Sequence, residues 1–190
     1  MLLGLRLDTE EATVPRDDSA AAGFARDMQA HHAQAVEMSM IVRDRTDDPE
    51  IRTLAYDIAL GQQQQIGQMF AWLQLWGLPQ TGEDSRMAWA MAAHPGSMTS
   101  PGSGTTTMDH PMPGMVRAAD VQKLATRTGR DAEVWFLKRM IEHHRGGVAM
   151  AQAALAFELP QEVKRLAETI VNAQTAEIEV LSSLLAQRAT

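Results

Sequence analysis

The chain has 190 residues, 45% apolar and 22% charged, with a formal net charge of −7. This is an ordinary globular composition, enough for one core or two small domains, and it excludes wholesale disorder. Thirteen Met and six His stand against no Cys, which rules out disulfides, thiolate zinc sites, iron–sulfur clusters and CxxCH haem attachment. The acidic balance gives no broad pull on nucleic acid or on anionic membranes.

Residues 1–18 read as an exposed lead-in. The opening Met1-Leu2-Leu3-Gly4-Leu5-Arg6-Leu7 lacks a basic n-region and is too short for a signal-peptide core. It is compatible with the remnant of an anchor or signal, or with a native cytoplasmic start. No run of about 18 apolar residues occurs to span a bilayer.

From Phe24 onward the sequence repeats itself. A constant offset of 112 residues aligns 24–73 with 136–185 without a gap, matching Phe24/Phe136, Met28/Met140, His31/His143, His32/His144, Met38/Met150, Gln62/Gln174 and seven further identical pairs. Chance would give only a few, so the halves are a duplication of one unit. In the first unit (19–77), apolar residues at steps of three and four predict a helix over about 19–45. Asp48 and Pro49 mark the next start, and Ile51, Leu54, Ala55, Ile58, Ile66, Met69 and Leu73 carry a second helix to Gly77.

Residues 78–118 change character. Pro, Gly, Ser and Thr dominate, and Met87, Met91, Met98, Met108, Met112 and Met115 accompany His94 and His110 in a strip that need not pack any core. Glu83 to Ala93 is expected to form a short helix with Met87 and Met91 on one side. The last segment, 119–190, begins with a short helix over 119–128 ended by Gly129. It then repeats the unit as helices over 130–157 and 160–187. Two helical hairpins with apolar faces dock into an all-α four-helix bundle.

The chemistry concentrates at the doubled His-His. Met28 and Met140 precede their histidines by one helical turn, and Met38 and Met150 lie two turns beyond. Equal rise along each hairpin places His31 and His32 opposite Gln62 and Gln63, and His143 and His144 opposite Gln174 and Thr175. Gln62 and Gln174 are therefore expected to orient imidazoles by hydrogen bonding. Neighbours on a helix point about 100° apart, so one His of each pair faces inward and the other lines a seam or an exit. Core-edge histidines with Met as filler are the simplest account of any one such residue. Here, however, all six His fall in the duplicated pairs or the Met-rich strip.

Thioether and imidazole together favour a soft cation, above all Cu(I), with other transition metals as alternatives. The candidate ligands are His31, His32, Met28, Met38, His143, His144, Met140 and Met150. His94, Met98, Met108, His110, Met112 and Met115 are further candidates in the strip. No Glu-x-x-His spacing occurs, which disfavours a di-iron centre. Nine aromatic residues in the whole chain offer few flat walls for haem, and no nucleophile motif is present.

Phe24-x3-Met28-x2-His31-His32 and Phe136-Leu137-x2-Met140-Ile141-x-His143-His144-x-Gly146-Gly147-x-Ala149-Met150-Ala151 resemble the DUF305 family. Leu166-Ala167-x2-Ile170-x3-Gln174-x2-Glu177-Ile178 and Met112-Pro113-Gly114-Met115 extend the resemblance to about 19–187. It implies a bacterial extracytoplasmic protein (secreted, periplasmic or membrane-anchored) with a ferritin-like bundle, some relatives being associated with copper binding and tolerance. Arg145-Gly146-Gly147 after the second His pair, and Gln65 where the second unit has Glu177, depart from a uniform pattern.

The resulting expectation is a non-enzymatic copper-binding protein that buffers copper or exchanges it with a donor or acceptor protein, touching membrane only through an N-terminal anchor. The alternatives are a metal- or haem-dependent redox enzyme and a metal-free interaction module.

Overall fold

A computed structural model describes residues 14–91 and 112–188. Its elements are α1 (Ala20–Arg43), α2 (Pro49–Leu75), α3 (Ala88–Met91), α4 (Ala118–Leu124), α5 (Gly129–Ala154) and α6 (Gln161–Gln187). No strand occurs among the described residues. The four long helices form two hairpins, α1–α2 and α5–α6, that meet chiefly through α1 and α5.

Local chemistry sets the boundaries. The Ser19 hydroxyl accepts from Ala22 N–H at 3.2 Å and caps α1. The Asp48 carboxylate accepts from Glu50 and Ile51 N–H at 2.9 and 3.1 Å, with Pro49 as the first residue of α2. Helix α2 ends in a Schellman motif: Gly77 takes φ +69°, and Leu78 N–H returns to Leu73 C=O at 2.8 Å. Gly129 does not end α4, which stops at Leu124 with Ala125 as its C-cap, short of the expected 128. With φ +52° Gly129 opens α5 and donates to Arg45 C=O at 2.7 Å, tying the second hairpin to the first turn.

That end of the bundle is also closed by charge. Buried Glu133 accepts from the Thr46 hydroxyl at 2.5 Å and from Arg188 Nε at 2.8 Å, and Arg188 Nη2 reaches Asp48 at 2.5 Å. Three segments distant in sequence are thereby joined at one largely buried knot.

The strip between the repeats differs from expectation where it is described. Only Ala88–Met91 is helical, because Met87 adopts φ +63° immediately before it. Met87 is buried while Met91 is exposed, so the two do not share a face. Buried Asp27 explains the turn: it accepts from Met87 N–H at 2.8 Å, Trp89 Nε1 at 2.9 Å and Arg86 Nη1 at 3.0 Å. Trp89 then packs edge-on against Phe24, at 6.0 Å between centroids, over Gly23. Met112 is likewise buried in the core, and Met115 packs against it. Both ends of the strip therefore help build the core, contrary to its reading as a segment free of packing.

Candidate metal centre

Two apolar clusters fill the bundle, and a polar layer lies between them. On α1 the first cluster runs to Met28 and the second begins at Ala35; on α2 the second runs to Ile58 and the first resumes at Met69. On α5 the change falls between Ile141 and Met150, and on α6 between Ile170 and Leu181. The residues in these four gaps include His31, His32, Gln62, His143, His144 and Gln174, all buried. The layer is thus built by the same positions of both repeats.

The pairs divide as the helical rotation demands. His31 and His143, the first of each pair, face each other across the α1–α5 contact, with ring centroids 3.8 Å apart and planes inclined by 32°. His32 and His144, each 6.4 Å from its neighbour between centroids, turn into their own hairpins. His32 Nε2 meets Gln65 Oε1 at 2.6 Å, and His144 Nε2 meets Glu177 Oε2 at 2.6 Å. Gln62 and Gln174 are not the partners: no side-chain nitrogen or oxygen of either makes a hydrogen bond. Gln174 instead fills the space left by Gly147, whose Cβ would lie 2.3 Å from Gln174 Oε1.

The reason is a lean that Cα register ignores. Side chains on a helix point toward its N-terminus, so the tips of two antiparallel partners draw apart along the axis. Tips therefore meet between residues slightly farther from the turn than Cα register suggests. Applying that lean moves each partner from Gln62 to Gln65 and from Gln174 to Glu177.

A strap covers the layer. His31 Nε2 donates to Pro113 C=O at 3.1 Å, and Gln34 binds Val116 both ways, accepting from its N–H and donating to its C=O, each at 2.7 Å. Gly146 makes room for the strap: a Cβ there would fall 2.0 Å from Pro113 O. A Cβ on Gly114, itself at φ +77°, would fall 2.6 and 2.9 Å from the carbonyl oxygens of Glu142 and His143. The sequence signalled this crossing only through its glycines.

Burial keeps three of these imidazoles neutral. It pushes His31 down to about 3, aided by neighbouring His32 and opposed by the Pro113 bond. It pushes His32 down to about 4, opposed by the Gln65 bond. His143 is held well below the ordinary range by burial and by the His31 and His144 rings.

The thioethers sort in pairs. Met28 and Met150 belong to the cluster on one side of the layer, Met38 and Met140 to that on the other, all fully buried. Each repeat thus contributes one Met to each side. Of the strip candidates, Met112 and Met115 lie on the Met28 side. His94, Met98, Met108 and His110 fall outside the described residues.

The donor set fits a soft cation better than a hard one. Among the described residues no three His, Cys, Asp or Glu converge into a cage, so neither a carboxylate cage for a hard divalent ion nor a preformed three-imidazole site is present. Yet His31 Nδ1, His32 Nδ1, His144 Nδ1 and both nitrogens of His143 are buried without a hydrogen-bond partner, which is costly unless something else satisfies them. Neutral imidazole nitrogens beside buried thioethers are the donors a soft cation takes.

The fold and this layer define a class: duplicated helical hairpins with a doubled Met-x-x-His-His at their contact. The chain belongs to the DUF305 family, whose sequence profile, described as a domain of unknown function, matches residues 21–185. Its fold is similar to that of a DUF305 protein from Streptomyces coelicolor, at 47% identity and TM-score 0.79, covering 92% of this chain and 97% of that one. A DUF305 fragment from Deinococcus radiodurans matches at 33% identity and TM-score 0.70, over 88% and 96% of the two chains. CopM in its Cu(I)-bound form shares the fold at 22% identity and TM-score 0.64, over 89% and 97%. No curated protein matches the sequence.

Proposed function

We propose that this protein is a non-enzymatic, extracytoplasmic copper-binding protein that buffers Cu(I) or exchanges it with a donor or acceptor protein. The observation that carries the reading is the buried His layer, with partnerless ring nitrogens and Met28, Met150, Met38 and Met140 on its two sides. Copper is the cargo. The His nitrogens and Met sulfurs would hold it, and the His and Met of the strip would capture it on the way in.

Two further facts support the reading. CopM, a relative in fold, has been crystallised with Cu(I), Cu(II) and Ag. The Streptomyces relative is described as a candidate secreted protein, and a thiol-free, thioether-rich donor set suits an oxidising compartment. No helix among the described residues is long and apolar enough to cross a membrane. A haem enzyme is the weaker alternative, because His31 and His143 already stack on each other at 3.8 Å and leave no room for a macrocycle between them.

The test is an anaerobic Cu(I) titration against a competing chelator. It compares the intact chain, a His31→Ala/His143→Ala variant, and a variant with His94, Met98, Met108 and His110 changed to Ala. Tight binding that the bundle variant loses and the strip variant largely keeps is the expected result. An intact chain unable to compete even with a weak chelator would end the copper reading, and loss only in the strip variant would move the site out of the bundle.

A further inference from the structure

Three of the four layer histidines have Nε2 on an oxygen that can only accept. Pro113 contributes a carbonyl to His31, Glu177 a carboxylate oxygen to His144, and Gln65, the repeat equivalent of Glu177, its amide oxygen to His32. Each Nε2 must then carry the proton, because the oxygen has none to give. In the neutral form of each ring that is the one ring proton, so Nδ1 then bears a lone pair. Those Nδ1 atoms are buried and have no partner.

We propose that Pro113, Gln65 and Glu177 are positioning residues that lock His31, His32 and His144 as Nε2–H tautomers, so that a bound soft cation meets Nδ1. The proposal rests on the copper reading above for its cation, but the lock itself belongs to the metal-free protein. A hydrogen bond from the far ring nitrogen fixes the plane of an imidazole and raises its basicity as a ligand. Three unrelated chemical groups converge on the same choice of nitrogen, and two of them occupy the same position of the duplicated unit. Structural satisfaction of a buried histidine would be served equally by either tautomer. Here the same side is left open three times. His143, whose two ring nitrogens are buried without a hydrogen-bond partner, is not locked in this way.

Long-range proton–nitrogen correlation spectra of the full chain at neutral pH test this, first metal-free and then with Ag⁺ as a diamagnetic, redox-inert probe. The expected metal-free result is Nε2–H for His31, His32 and His144, and Ag⁺ should shift Nδ1 rather than Nε2. Glu177→Gln keeps an acceptor and should keep the His144 tautomer. Glu177→Leu should release it to a mixture and weaken Ag⁺ binding about 10–100-fold.

An Nδ1–H tautomer at any of the three in the intact metal-free chain would overturn the lock, whatever the variants do. An Ag⁺ shift at Nε2 would overturn the choice of ligand atom. Should Ag⁺ move no imidazole nitrogen, the copper reading and the ligand assignment both fall, while the metal-free tautomers still decide the lock.

Discussion

The imidazoles of His31 and His143 stack at 3.8 Å between centroids where α1 crosses α5, and neither reaches solvent. Residues 112 apart in sequence, equivalent in the duplicated unit, have become one contact at the centre of the protein. A cation reaching this pair finds both rings already neutral, so it displaces no proton from them at neutral pH.

The same neutrality makes stability depend on pH. In the unfolded chain a histidine takes up its proton near about 6.5, whereas folded His31 stays neutral to about 3 and His32 to about 4. Between those values the unfolded state binds more protons, so stability rises with pH there and is lost as pH falls below about 6.5. Above that pH the two groups contribute no slope. Each should cost up to about 1.4 kcal/mol per pH unit inside the window. Urea midpoints of the metal-free chain between pH 7 and pH 5, where most carboxylates stay ionised, read this slope. In a His31→Ala variant it should be shallower, and an unchanged slope would mean that His31 is not the proton-excluding group.

Gly146→Ala tests the strap. Its new Cβ would fall 2.0 Å from Pro113 O and 2.4 Å from the carbonyl carbon, both backbone atoms that cannot rotate away. The strap should lift, straining the His31–Pro113 and Gln34–Val116 bonds at a cost of about 1–3 kcal/mol, typical of overpacking. Faster hydrogen exchange at Val116 N–H, with the α5–α6 amides near Leu166 still protected, is the expected pattern. Retained protection at Val116 would mean the strap does not press on α5.

Much of this was legible in the sequence, and the reasons are specific. The duplication, caps and stripes place α1, α2, α5 and α6 to within a few residues, because Asp48, Pro49 and Gly77 act locally. The Met-rich strip was misread at its ends because burial of Met87, Trp89 and Met112 depends on Asp27 and Gly146, residues distant in the chain. Gln65 and Glu177 were missed because register was counted along Cα atoms, while the contacts are made by leaning tips. That His31 and His143 would touch had no local signal: it follows from which faces of α1 and α5 remain once α2 and α6 are docked.

Glu133→Ala should unfasten the closed end of the bundle. The carboxylate holds the Thr46 hydroxyl and Arg188 Nε, and the Arg188 side chain is only 8% exposed. Removing one partner leaves a buried guanidinium with Asp48 as its one remaining carboxylate, beside the Leu184 carbonyl, and breaking such a pair costs about 3–5 kcal/mol. Chemical denaturation should show that loss. Glu133→Gln, which can still accept from Arg188 and Thr46 but carries no charge, should lose less, and equal losses would attribute the effect to the charge rather than to the hydrogen bonds.

Helix α2 holds a reserve of stability beside the polar layer. Gly61 and Gly67 are exposed and helical, and a Cβ added at either position would meet nothing within 4 Å. Neither packing nor a left-handed turn requires glycine there, and each costs a helix interior about 0.8–1 kcal/mol relative to Ala. Gly61→Ala and Gly67→Ala should therefore each raise the denaturation midpoint, with an unchanged denaturant slope showing that the surface exposed on unfolding is the same. The pair brackets Gln62 and Gln65, the α2 residues nearest the histidines. If stiffening this segment also slowed Cu(I) uptake without weakening final binding, the glycines would be serving entry to the layer. A rise in stability with unaltered uptake would leave them as simple helix defects, and no rise at all would mean that α2 is not continuous through Gln62 in solution.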